Sequence, residues 1–240
     1  MYPSGRFFVK PTMLLSDVIL DNHLVLLMLE HFEIDFCVSS KTIGLVCAEN
    51  KIETGLFISI CNLYNGFSPS PQAHYSLKDF SVIIRFLKKS HTFYKSDKYP
   101  EIRGLISQLL NKNNSNEIKL IEKFFDEYFA EVTEHLDYEE LVAFPYFCSL
   151  TETGEHSLYN GTEKFSVKEY HDHHSDIESK LADLKNLLLK HVTLSNELPL
   201  RRKLLFSLFE LEFDLRIHSM IEDFILIPLA EKIEKKGLHG

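Results

Sequence analysis

Residues 208 to 233 read "LFELEFDLRIHSMIEDFILIPLAEKI". Apolar side chains recur there at helical steps of three and four, through Leu208, Leu211, Leu215, Ile225 and Leu229, yet the middle of the stripe is His218 and Glu222. Four residues apart, those two share one face of a helix. A polar group buried without a partner costs about 2 to 7 kcal/mol, and an unpaired charge costs more. A stripe that carries both needs something for them to bind.

Three further segments have the same kind of seam. The first runs Leu77, Phe80, Ile84, Leu87, His91, Tyr94 and loses its register toward Pro100, where a kink is expected. The second runs Ile118, Ile121, Phe125, Tyr128, Val132, His135, Glu139, Val142, Tyr146, and the third Val167, Tyr170, His174, Ile177, Leu181, Leu184, Leu188. No segment shows sustained strand alternation. Turn-forming stretches separate the segments: "NKNNSN" at 111 to 116, "TETGEHSLYNGTEK" at 151 to 164 and "VTLSNELP" at 192 to 199. Four helices with such connections pack most simply as an antiparallel bundle. The Pro- and Ser-rich "YNGFSPSPQ" at 64 to 72 reads as an interdomain linker. It divides the chain into a small helical domain, residues 1–68, and a bundle, residues 72–240.

The seams repeat. His91 and His135 are 44 residues apart, as are His174 and His218, and each second histidine opens the pattern H-x-x-x-E-[ED]-x-x-x-x-P, as "HLDYEELVAFP" and "HSMIEDFILIP". One helical hairpin thus occurs twice. Related by an approximate two-fold axis, the copies bring His91, His135, Glu139, His174, His218 and Glu222 to one level of the bundle. Any one of these histidines alone reads as a hydrogen-bonded core residue. Six inward polar groups together read as a metal site.

Nitrogen and carboxylate donors without thiolate suit iron or manganese, although zinc or copper would bind at least as tightly. Six ligands exceed the four of a closed zinc site. Two metals sharing two bridging carboxylates, each with two terminal imidazoles, would use every ligand and leave positions for oxygen, nitric oxide or solvent. A dinuclear iron centre is the expected cofactor.

Composition narrows the class. The 240 residues are 45% hydrophobic with 19 Phe, enough for a real core. A net charge of −9 without a Lys/Arg stripe argues against nucleic acid, and no apolar run reaches the length of a membrane span. The first residues lack an apolar export signal. Four cysteines, at 37, 47, 61 and 148, form no C-x-x-C pair, so a reducing, cytoplasmic setting is expected. No nucleotide-binding glycine loop is present.

These residues resemble the hemerythrin-like family, and within it the group called repair of iron centres proteins. In that family a histidine shortly before Pro-Glu lies on the first bundle helix, which His91 ahead of "KYPEI" matches. H-x-x-x-E on the second and fourth helices is matched by His135 with Glu139 and by His218 with Glu222. The third-helix pattern, matched by "HSDIESKLADL", places the ligand at His174. Neighbouring His173 faces away from the seam and reads as a solvated residue, and His171, one turn earlier at the seam edge, reads as having no part in the site, with a substitute ligand or a supporting group as the alternative. Tyr94 and Tyr170 fall in the seams near the site, as core residues or as donors to a bridging oxygen. The leading segment "HFEIDFC" is similar to the small helical domain preceding the bundle in the same family, where two adjacent cysteines are typical. Here Val38 takes the second place. Cys37 then reads as a buried inert thiol, with reactivity as the alternative, and Cys47 and Cys61 read as core.

The resemblance implies an all-α protein, a hemerythrin-like four-helix bundle after a small helical domain, with two iron ions bridged by oxo or hydroxo and carboxylate groups. It also implies a role in restoring iron–sulfur clusters damaged by nitric oxide or oxidants, with damaged iron–sulfur proteins as partners. The alternative is a sensor that binds oxygen or nitric oxide. A third class, a reductase of nitric oxide or peroxide, needs an electron donor that no motif identifies.

Overall fold

A computed structural model describes residues 7–68, 75–113, 115–153, 167, 170, 177–190 and 197–237. Among these the chain is all-α. Its helices are α1 (Leu15–Asp21), α2 (Val25–His31), α3 (Ile43–Asn50), α4 (Thr54–Tyr64), α5 (Leu77–Phe93), α6 (Tyr99–Lys112), α7 (Asn116–Tyr138), α8 (Phe144–Thr153), α9 (Ile177–Lys190), α10 (Leu198–Ile221) and α11 (Ile227–Gly237). A helical region, α1 to α4, precedes the bundle helices. The only extended pairing among the described residues is one antiparallel bridge between Leu14 and Thr42. Among the described residues no helix is long and apolar enough to cross a membrane.

Three of the junctions are single π-helical turns: Tyr94–Lys98 between α5 and α6, Glu139–Ala143 between α7 and α8, and Glu222–Leu226 between α10 and α11. In each, a backbone N–H reaches five residues back, Tyr99 to Tyr94, Phe144 to Glu139 and Ile227 to Glu222. The next residue is always proline: Pro100, Pro145 and Pro228. The cause is steric. Proline has no N–H for the helical ladder, and its ring strikes the carbonyl four residues back unless the turn before it widens. The break expected at Pro100 is therefore a π turn ending at Lys98, after which the helix continues to Lys112 and buries Ile102, Ile106 and Leu109.

The chain divides into two compact units. The first comprises residues 1–89, 146–171 and 217–240. Its leading helices close on Leu15, Val18, Met28, Leu29, Ile43, Leu56, Phe57 and Ile60, all essentially inaccessible. Thr42 caps α3 by accepting from the Leu45 N–H, and Glu53 caps α4 by accepting from the Leu56 N–H at 2.8 Å. Lys51, at φ 56°, ends α3 in the left-handed region. The Asn22 side-chain amide donates to the Tyr64 carbonyl at 3.0 Å and to Asn65 Oδ1 at 2.8 Å, tying the end of α1 to the end of α4. Phe86 of α5 receives the rings of Phe32 at 4.7 Å and His31 at 5.2 Å, and Lys89 pairs with Glu33 at 2.7 Å. At the start of α5 the Ser76 N–H and hydroxyl both donate to Asp79. Leu77, expected in the seam, is exposed, because it occupies the first position of the helix.

The second unit comprises residues 90–145 and 172–216. Tyr99 stacks on Phe129 at 4.0 Å and on Phe125 at 5.6 Å, joining α6 to α7, while Ser115 caps α7 through the Ile118 N–H. Lys98 is buried between Glu101 at 2.7 Å and Glu210 at 2.5 Å. Burial disfavours its charge, but the two carboxylates outweigh that and raise its pKa.

The cysteines divide by burial. Cys47 and Cys61 are core residues, and burial pushes their thiols up to about 11 and about 12. Cys37 is exposed, which corrects its reading as a buried thiol, while Val38 beside it is buried. The reason lies in the turn: the Cys37 N–H donates to Asp35 Oδ1 at 2.6 Å, and Ser39 adopts φ 51°. In folded protein at pH 8, a thiol-alkylating reagent should therefore modify Cys37 readily and leave Cys47 and Cys61 unmodified, as read by peptide mass mapping. Equal labelling of Cys61 would contradict the packing described.

Candidate metal centre

In the second unit the site begins on α5 and α7. His91 is fully buried and its ring stacks against Phe144 at 5.6 Å. Its Nδ1 lies 2.9 Å from Glu140 Oε1 and its Nε2 lies 3.2 Å from Glu139 Oε2. With Nδ1–H donating to Glu140, the imidazole presents its lone pair on Nε2, the tautomer a metal ligand needs. Glu139, also fully buried, has its other oxygen 2.9 Å from His135 Nε2. One carboxylate therefore meets two imidazole nitrogens. The hydrogen bond from His91 holds the Glu140 carboxyl down at about 2, and Lys95, 3.3 Å away, adds its charge.

The first unit carries the second copy of the pattern. His218 Nε2 lies 3.4 Å from Glu222 Oε1, with both residues buried. The Tyr170 hydroxyl donates to the same Oε1 at 2.7 Å. Elsewhere in the seams, in the second unit, the Tyr94 hydroxyl donates to buried Asp214 at 2.8 Å. His171, His173 and His174 lie outside the described residues.

Each unit thus carries buried imidazole and carboxylate chemistry of the kind that can hold a metal ion, His91 with Glu139 in the second and His218 with Glu222 in the first. The comparison with protein families decides what kind of protein carries it. The model of the hemerythrin HHE cation-binding domain matches residues 100–230. The chain belongs to the hemerythrin HHE cation-binding family. No curated protein matches it.

In this hemerythrin-family chain the donor set, imidazole nitrogen and carboxylate oxygen, fits iron, since it contains no thiolate that would draw softer metals. Sequence reasoning left Glu140 without a role, although the signal was present. Both copies of the eleven-residue pattern place a second acid directly after the glutamate, Glu140 in one and Asp223 in the other. An outer carboxylate on a metal-binding histidine is a recurrent requirement. Asp214, the acceptor for Tyr94, gave no such signal, because a lone acid within a helical segment reads as a solvated face.

Proposed function

We propose that this chain is a non-haem di-iron protein whose role is the restoration of iron–sulfur clusters damaged by nitric oxide or oxidants. His91, His135, Glu139, His174, His218 and Glu222 would hold two iron ions. In the same reading residues 1–68 form a small helical domain, residues 72–240 form the metal-binding bundle, and the setting is cytoplasmic. The observation that carries the di-iron part is the pair of buried carboxylates, Glu139 and Glu222, each beside the imidazole four residues before it, in a member of a cation-binding family. When bound, iron would supply redox chemistry and open positions for oxygen or nitric oxide. The protein's own part is to exclude water and fix the imidazole tautomers. The repair role rests on the likeness of the leading segment and the bundle together to repair of iron centres proteins.

Metal analysis with Mössbauer spectroscopy on anaerobically purified protein tests the centre. Two iron atoms per chain are expected, and one zinc without dinuclear iron after growth in ample iron would overturn the reading. Recovery of a nitric-oxide-damaged iron–sulfur enzyme, upon addition of iron-loaded protein, tests the role.

A second reading, a sensor of oxygen or nitric oxide, is favoured by one observation. Where relatives carry paired thiols, this chain has a single exposed Cys37 followed by buried Val38. A sensor gives reversible gas-induced spectral change and no enzyme recovery.

A further inference from the structure

Within the second unit, α10 is apolar on two opposite faces. Leu204, Leu208, Leu211 and Leu215 follow the helical step and are buried. At about 100° per residue, Arg202, Phe206, Phe209 and Phe213 fall on the other side of the helix. There Phe206 is 64% exposed, Phe209 44% and Leu198, one turn before Arg202, 71%, although Lys185 of α9 already lies over the Phe209 ring at 4.5 Å. Arg216 closes the stripe, 5.5 Å from the centre of the Phe213 ring. One exposed phenylalanine is ordinary, but a row of apolar side chains along one helix marks a surface that another body covers.

The charges beside the stripe say what that body is. Lys203 and Glu210 lie on one flank, and Arg201 and Glu212 on the other. When a second α10 runs antiparallel about a two-fold axis between positions 206 and 207, each flank meets its own copy, with Lys203 opposite Glu210 and Arg201 opposite Glu212. Both flanks give the same centre. Opposite charges matched along the flanks of a helix pair select its partner and its orientation. Glu210 accepts from Lys98 of its own chain and Glu212 pairs with Lys185, yet these acids keep 34% and 28% of their side chains exposed, so a second cation joins the first without displacing it. The same acids argue against a lipid occupant, because an anionic bilayer would repel the half of the stripe that they border.

We propose that the outer face of α10 is a homodimer interface, in which two copies of this chain pack that helix antiparallel through Phe206, Phe209 and Phe213. The inference goes beyond the metal chemistry and does not depend on it. A single helix pair buries an area at the low end of specific interfaces, under ~1,200 Å², so the dimer is weak and forms as concentration rises.

Sedimentation velocity of the full chain from about 1 to 100 μM reads the association. Wild type should pass from monomer to dimer in that range. Phe206→Glu sets like charges against each other at the axis and should weaken the dimer at least ~10-fold, whereas Leu120→Glu, at a position 57% exposed on α7, should not. Wild type that stays monomeric overturns the inference, as does a dimer that Phe206→Glu leaves intact. Monomeric wild type that cosediments with vesicles of phosphatidylserine and phosphatidylcholine assigns the stripe to a lipid surface and overturns it too. Orientation is read on wild type alone, which keeps the test open should a variant not fold. Unlabelled and heavy-nitrogen-labelled chains are mixed at a concentration where they sediment as dimer and treated with a zero-length amine–carboxyl crosslinker. Peptides joining Lys203 of one isotope to Glu210 of the other are expected, and their absence overturns the antiparallel pairing.

Discussion

Replacing Glu139 by leucine is expected to lower iron affinity at least ~100-fold and to make the metal-free protein less stable than wild type. Loss of a group that merely supports a ligand costs 10 to 100-fold in affinity, and loss of a ligand costs more. The stability half of the expectation follows from burial. Glu139 is fully buried and faces both His91 and His135, and removing one partner of a buried group while the others stay costs about 1–3 kcal/mol or more. Wild-type protein should therefore gain in Tm when iron is added, by mass action, and Glu139→Leu should not. Calorimetry with and without ferrous iron reads both halves. An iron-dependent rise in Tm equal to that of wild type would remove Glu139 from the ligand set.

The second large effect is on stability alone. Phe86 is almost wholly buried and receives Phe32 and His31 from the leading helices. Truncation of such a phenylalanine to alanine costs about 3–5 kcal/mol. At 2–4 °C per kcal/mol for a chain of this size, Phe86→Ala should lower Tm by about 6–20 °C. Leu20→Ala, at a residue 84% exposed, should change stability by no more than about 0.5 kcal/mol. The iron content of the folded variant should match wild type, since the rings that meet Phe86 belong to the leading helices. Thermal melts of the two variants side by side test the packing, and a loss for Leu20→Ala equal to that for Phe86→Ala would contradict it.

Much of this was legible in the sequence because the signal was periodic. Phe80, Ile84, Leu87, His91 and Tyr94 follow the helical step and are all buried, as are Leu208, Leu211, Leu215, His218 and Glu222. Beyond Glu222 the expected Ile225 and Leu229 are buried, but beyond Glu139 the extrapolation slips. The step of three from Glu139 leads to Val142, but the inaccessible residue is Ala143, because the π turn takes up one extra residue. The same slip concealed the continuation of the first bundle helix past Pro100. Hydrogen bonds between distant segments were illegible for another reason: the pairing of Tyr170 with Glu222 depends on side-chain direction across 52 positions of chain, which periodicity does not carry. The exposure of Cys37 turned on a local Asp35 contact that competes with helix formation.

The three π turns have a mechanical consequence. An extra residue in a helix is a dislocation in a one-dimensional lattice, and nothing in a uniform lattice stops it from gliding. Each step of such a glide would swing a side chain at its edge by about 100° around the axis. Glu139 and Glu222 sit at those edges, as the first residues of their turns. Pro145 and Pro228 stop the glide, since neither can enter the α ladder that would have to re-form behind a migrating defect. The prolines act as pinning points that keep two carboxylates aimed inward.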